Sequence, residues 1–376
     1  MTAERRRWSS RQKLLVTLLA PLVGLLACEG ILRWLLFSSS PWAEQWGRHF
    51  RRADLYAQRA MSDDYQELRY LFSPPEPRRS GFVPHPELGW ISSELDFESL
   101  RHPDEERIQG RRPVLLFGSS YAACWFTVET CFQELLERSE LAREYCLVNY
   151  GVTAYGLDQT VLLASKCAPR FAAQRPVVVL ATVVDNDLPR GQLSFFMAPK
   201  PRFVERAGAF ELRRPDELDA RAYIERHRPG ITSYLARYLL RGRGLFSVWS
   251  GAEHEEEELG KERLALARYC LGRAHAELEA LGLEHFVVLF HSPLSLPPLG
   301  EPHEDEEPLL AYLEQQGIPY VDTRNILADE CRRTGQEIST LYLHGPGTVW
   351  HPNERGTEVL FRAFQLGLEH RYDAAR

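Results

Sequence analysis

The chain has 376 residues, 44% of them hydrophobic, which suits one large α/β domain with appendages rather than a single small domain. A formal charge of −7, with arginines scattered among acidic neighbours, lacks the basic stripe of a nucleic-acid binder, so no nucleic-acid partner is expected. The seven cysteines (Cys28, Cys124, Cys131, Cys146, Cys167, Cys270, Cys331) show neither CxxC nor zinc-type spacing. Cys124, Cys146 and Cys167 fall in apolar stretches, so buried free thiols are expected rather than a disulfide framework.

Residues 1–13 form a basic segment containing Arg5, Arg6, Arg7, Arg11 and Lys13, and residues 14–37 read as a transmembrane anchor. The basic flank predicts a cytoplasmic N-terminus and an extracytoplasmic main domain. Glu29 and Arg33 are four apart, share a helix face, and are expected to pair and snorkel to the interface beside Trp34. Two other readings use the same residues. One is a cleaved signal peptide; the other is a lipoprotein box, Leu25-Leu26-Ala27-Cys28, which would make Cys28 the lipidated first residue. The apolar run continues past Cys28, which neither alternative needs, and this favours the anchor.

Residues 38–112 read as linker and approach to the domain, rich in Arg and Pro, with SPPEPRRSG (73–81) a loop and HPELGW (85–90) an ordered entry. From 113 to 370 short apolar strands alternate with amphipathic helices. Strands are predicted at 113–117, 145–149, 176–184, 285–290 and 318–322. Helices are predicted around Phe132–Leu136, at 158–168, 259–281 and 307–316, after 322, and at 354–369. Residues 190–255 interrupt the alternation with a hairpin turning at Ala207-Gly208 and a basic helix near 232–241. Nearly all-apolar strands alternating with helices predict an α/β fold whose parallel sheet is covered on both faces. The acidic runs around His254 and His303 read as solvated loop ends, and neither a metal nor a cofactor is expected.

In open parallel sheets ligands bind beyond the carboxyl ends of the strands, so the polar residues there carry the functional argument. They are Gly118-Ser119-Ser120 after the first strand, Asn149–Ala154 after the second, and Asp185-Asn186-Asp187 after the third, joined by His351-Pro352-Asn353 late in the chain. Ser120 at a strand-to-helix turn projects a hydroxyl from the sheet edge, and His351 could take its proton as general base. The backbone N–H groups near Ser120 and Ala154, with the Asn186 side-chain amide, could form an oxyanion hole worth ~3–4 kcal/mol per donor. Each piece has an ordinary structural explanation, since Asn-Asp pairs cap helices and HPN makes a turn. Their joint appearance at successive strand ends is what points to a site.

The set resembles the four blocks of the SGNH (GDSL-like) hydrolases, in their membrane-anchored form. VLLFGSSYAACWF resembles the first block with Ser120 as nucleophile, and VNYGVTAYGLDQ the second with Ala154 at its glycine position. ATVVDNDLPR resembles the third with Asn186, and HPNERG the last with His351. The resemblance covers about 85–370 and implies a flavodoxin-like α/β/α sandwich that cleaves acyl or acetyl esters of carbohydrate or lipid. Three departures stand out: Ser119 replaces the first-block Asp, Ala154 the second-block Gly, and Thr348 the Asp three residues before the histidine. A related triad loses about 10⁴ in turnover without its acid, so either a backbone carbonyl or another acid, with Asp322 and Asp187 the candidates, orients His351, or the activity is weak or lost.

Competing readings use the same residues. An α/β-hydrolase elbow would place several strands before Ser120 and leave Asn186 without a role. An O-acetyltransferase acting on cell-surface polysaccharide would use the same Ser and His but a sugar hydroxyl as acceptor. A catalytically degenerate domain with a binding or assembly role would explain the missing aspartates.

Overall fold

The computed structural model describes residues 9–73, 81–124, 127, 130–241, 252–344 and 350–372. Arg5, Arg6, Arg7, most of the 73–81 loop, Trp125, Phe126 and Thr348 lie outside the described residues. The chain forms two units, Met1–Pro75 with Ile224–His254, and Glu76–Tyr223 with Glu255–Arg376.

In the smaller unit the apolar N-terminal run folds as one helix, α1 (Ser10–Phe37), followed by α2 (Pro41–Gly47), α3 (Asp63–Phe72) and, much later in the chain, α8 (Tyr234–Arg241). The Leu15–Phe37 stretch has a mean hydropathy of 2.2 and is long and apolar enough to cross a membrane. Arg33 and Glu29 pair at 2.6 Å, as their spacing predicts. Both side chains are also met by protein. Glu29 accepts hydrogen bonds from the Ser233 hydroxyl (2.9 Å) and from the N–H groups of Tyr234 (3.1 Å) and Leu235 (2.8 Å). Arg33 donates to the Thr232 carbonyl at 2.8 Å and lies over the Tyr234 ring. The first N–H groups of a helix have no acceptor within it and favour a negative charge, so the start of α8 draws this carboxylate in. Leu32 and Leu36 then pack with Ala53, Tyr56, Leu68, Ile231 and Tyr234. The helices α2 and α3 lie in the stretch read as linker. They are short, and α3 is started by Ser62, whose hydroxyl accepts from Tyr65 N–H, with Asp63 and Asp64 in its first turn.

The larger unit opens with a hairpin, β1 (Phe82–His85) and β2 (Gly89–Ser92), built from HPELGW. Then β3 (Arg112–Gly118), α4 (Phe132–Glu137), β4 (Tyr145–Gly151), α5 (Leu157–Cys167), β5 (Val177–Val183) and α6 (Val184–Gly191) alternate. Two small antiparallel pairs follow, β6 (Phe195–Phe196) with β7 (Ala198–Pro199) and β8 (Arg202–Arg206) with β9 (Ala209–Arg213). The second pair turns at Ala207 (φ 50) and Gly208 (φ 80), the left-handed pair that matches strand twist. After α7 (Ala220–Arg226), the alternation resumes with α9 (Ala252–Ala280), β10 (Glu284–Phe290), α10 (Glu306–Gln316), β11 (Tyr320–Asp322), α11 (Thr323–Thr334) and α12 (Glu354–Leu368).

The five long-range strands pair in parallel in the order β11-β10-β5-β3-β4. Counted along the sheet this is 2-1-3-4-5, the flavodoxin-like order, with its switch point between β3 and β5. β5 is buried throughout and β3 almost so, as expected for a sheet covered on both faces. The β1–β2 hairpin is tied to the loop after β4. Trp90 Nε1 donates to the Thr153 carbonyl (3.2 Å), Tyr155 Oη to the Trp90 carbonyl (2.5 Å), and Gln159 Nε2 to the Leu88 carbonyl (2.7 Å). Nearby, the buried Lys200 and Asp158 pair at 2.6 Å, and Lys200 also donates to the Leu193 carbonyl. One expectation is corrected. Cys124 is not a free thiol but is bonded to Cys131, because the chain after β3 loops back to bring their Cα atoms to 5.4 Å, within disulfide reach.

Candidate active site

The loop after β3 can form only because two neighbours have no side chain. A Cβ on Gly118 would come 2.8 Å from the Ala181 carbonyl and 2.7 Å from Ala122 Cβ, and one on Gly151 would lie 2.4 Å from Ala123 N. Residues 119–123 therefore fold directly across the ends of β3 and β4. Asn149, at the end of β4, fastens them. Its Nδ2 donates to the Ala122 carbonyl (2.8 Å) and Gln133 Oε1 (3.0 Å), while its Oδ1 accepts from Gly151 N–H (2.9 Å). Ser120 sits in this loop and is 4% exposed.

His351 reaches the same edge from the other end of the chain. Leu343 N–H donates to the His351 carbonyl (2.7 Å), Asn353 N–H to the Leu341 carbonyl (3.0 Å), and Tyr342 pairs with Pro352 as an isolated bridge. Asn353 caps α12 through its Oδ1 and Gly356 N–H. Two tyrosines tether the segment. Tyr342 Oη donates to the His291 carbonyl at the end of β10 (2.8 Å). Tyr121 Oη donates to the Trp350 carbonyl, and its ring lies 5.6 Å from the imidazole of His351. Trp350 has φ 65, a strained turn that these bonds hold in place.

The structure brings Ser120 and His351 together, with Ser120 Oγ 2.8 Å from His351 Nε2. In that geometry the serine O–H can donate to the imidazole, leaving the oxygen to attack an electrophile. Ala154 lies in the loop after β4 and Asn186 is the third residue of α6, which follows β5, so the two flank β3 on either side of the switch point. Ala154 has φ 71. That left-handed conformation is one glycine takes freely and alanine takes at a cost of about 1–2 kcal/mol, which accounts for a glycine at this place in the resembling block.

The two carboxylates expected to orient His351 are engaged elsewhere. Asp322 accepts from His291 Nε2 (2.6 Å) and caps α11 through Arg324 N–H (2.9 Å). Burial alone would raise its pKa, but the His291 bond, Arg324 N–H and the Arg324 charge hold it below the usual range. Asp187 accepts from Val183 N–H (2.8 Å) and from Arg190 (3.1 Å), and it is also bonded by the Ser119 hydroxyl. Burial pushes Asp187 up to about 6, against the pull of Arg190 and these hydrogen bonds. Sequence reasoning missed both assignments because side-chain direction at a strand end is set by packing. It also missed Tyr121 and Tyr342, which act through backbone carbonyls and leave no sequence pattern.

Among the described residues two clusters bring three metal-ligand atoms within 4.8 Å of one another: His275, Glu279 and His285, and His291, Glu306 and Asp322. In the first the two imidazoles are hydrogen-bonded to each other at 2.7 Å, and in the second His291 is bonded to Asp322. His303, in the second acidic run, lies beside Asp305.

No family model and no curated protein matches the chain. Among solved structures it is similar to a lipolytic protein of the G-D-S-L family from Veillonella parvula, at 15% identity over 69% of this chain and 97% of that one, with a TM-score of 0.35. It is also similar to an acetylxylan esterase from Geobacillus stearothermophilus, at 14% identity, 68% and 94% coverage and a TM-score of 0.36. A lipolytic G-D-S-L protein from Desulfitobacterium hafniense aligns at 10% identity, 68% and 99% coverage and a TM-score of 0.35.

Proposed function

We propose that the chain is a serine esterase acting on acyl or acetyl esters of carbohydrate or lipid, held at a membrane by α1 with its larger unit outside the cytoplasm. The observation that carries this reading is the 2.8 Å approach of Ser120 Oγ to His351 Nε2 at the carboxyl edge of the sheet. His351 takes the serine proton as Ser120 Oγ bonds to the ester carbonyl carbon. The N–H groups of Ser120 and Ala154 and the Asn186 amide hold the resulting oxyanion. Collapse expels the alcohol, which takes the proton from His351 and leaves an acyl-serine. Water, deprotonated by His351, then releases the acid and restores the serine. The Cys124–Cys131 bond fits an oxidising compartment, which supports the extracytoplasmic placement.

A fluorophosphonate probe tests the nucleophile. The reading expects labelling of the parent chain, none of Ser120→Ala, and a loss of ~10³-fold or more in turnover of short acyl esters for His351→Ala. Failure of the parent to label, or equal labelling of Ser120→Ala, would overturn it in favour of a binding or assembly role. Adding an acetylated donor with a free glycan separates the outcomes further. Acyl transfer to a sugar hydroxyl in preference to water would make the chain a transferase.

A further inference from the structure

We propose that Trp42 and Trp46, on the outward face of α2, seat the smaller unit on the outer surface of a lipid bilayer, as a contact additional to the span. This rests on the reading of α1 as the membrane anchor. A helix rises ~1.5 Å per residue, so a hydrocarbon core of ~30 Å takes ~20 residues. Counted from Leu15, the outer boundary falls close to Trp34. In this last part the helix has two faces, with Leu32 and Leu36 buried in the unit while Ile31, Trp34 and Phe37 stand exposed.

Glu29 and Arg33 would therefore lie at or just inside the boundary, where an unsatisfied charge is costly. Each is satisfied by protein, Glu29 by Ser233, Tyr234 and Leu235 and Arg33 by the Thr232 carbonyl. Segment 232–235 shares that depth. The unit is thus set into the shoulder of the bilayer rather than held off it.

The position of α2 is fixed to the same level. Ser40 caps it, and Gly47 packs so closely on α1 that a Cβ there would come 2.3 Å from the Leu35 carbonyl. Arg51 donates to the Leu35 carbonyl (3.0 Å) and the Ser38 carbonyl (2.6 Å), closing off the end of α1. Ala43 and Gly47 face inward. Trp42 and Trp46, one turn apart, face outward at 67% and 61% exposure. Indole has an apolar body and one N–H donor, which suits the headgroup layer and not open water. The occupant of this face is lipid because α2 is held on α1 at Leu35 and Ser38, next in the chain to the depth that Trp34 marks.

The test uses the full chain in phosphatidylcholine vesicles whose acyl chains carry bromine either near the headgroups or near the chain ends. Shallow bromines should quench part of the tryptophan emission. Trp42→Phe/Trp46→Phe should lose most of that shallow quenching, more than Trp34→Phe loses alone. Both residues are exposed, so the variants should keep the parent's circular dichroism. Quenching that persists in the double variant but vanishes in Trp34→Phe would overturn the α2 contact and leave the span intact, including where a protein partner covers the face. No quenching by either lipid, with release of the chain by alkaline carbonate, would overturn the anchor and the proposal together.

Discussion

Tyr121 follows Ser120 in the chain yet secures the far side of the site, since its hydroxyl holds the Trp350 carbonyl and its ring lies beside the imidazole of His351. If the Ser–His pair acts as proposed, Tyr121→Phe frees the turn that presents His351 without touching the attacking atom. Turnover should fall on the order of 10- to 100-fold with KM nearly unchanged, because small displacements of a positioned base cost about that much. Steady-state kinetics with the active sites counted by fluorophosphonate titration separates this from a general loss of structure, which would lower the active fraction and leave kcat per active site intact. Asp187 makes a different prediction. Its pKa is raised from 3.8 to about 6, so between these values the folded chain holds a proton that the unfolded chain has released. Its contribution to stability therefore falls as pH rises from about 4 to 6. Asp187→Asn cannot titrate, and its stability relative to the parent should climb across that window in thermal melts. A difference that stays flat with pH would show that Asp187 is not the titrating group. Ser120 and His351 were legible in the sequence because both follow local patterns at element ends. The partners of Asp187 and Asp322 were not, because they depend on which way a side chain turns in a packed edge.

The five strands of the sheet were legible as apolar runs, since strands buried on both faces have no polar positions to hide them. The β8–β9 hairpin was legible for a different reason: Ala207-Gly208 accepts the left-handed angles that a tight turn demands. The helices α2 and α3 were not legible, being shorter than the periodicity needed to reveal a stripe and supported by packing, α2 on α1 at Gly47 and α3 through Leu68 with Leu32, Leu36 and Tyr234. Nor was the disulfide, since a separation of seven residues carries no signal without the fold of the loop. That bond closes the segment leading out of Ser120. Replacing Cys124 and Cys131 by alanine should cost about 2–3 kcal/mol by the chain-entropy account, read from denaturant melts under non-reducing conditions. An unchanged midpoint would mean that the thiols are not joined in the folded protein.

At the scale of the molecule, the N-terminal helix is a structural part of the unit that follows it. Leu32 and Leu36 belong to that unit's core, and Leu36 is 2% exposed. A chain lacking residues 1–37 should leave α3 and α8 without their packing, so limited proteolysis should cut within 38–73 faster than in the full chain. Equal resistance would show that the small unit holds together without its helix. The contact between Glu29 and α8 also sets an order of events in biogenesis. Glu29 is made 204 residues before Ser233, so at ~5–20 residues per second it waits roughly 10–40 s for the hydroxyl and N–H groups that will cover it. During that interval the nascent chain must keep Glu29 and Arg33 paired with each other while the first strands of the sheet emerge.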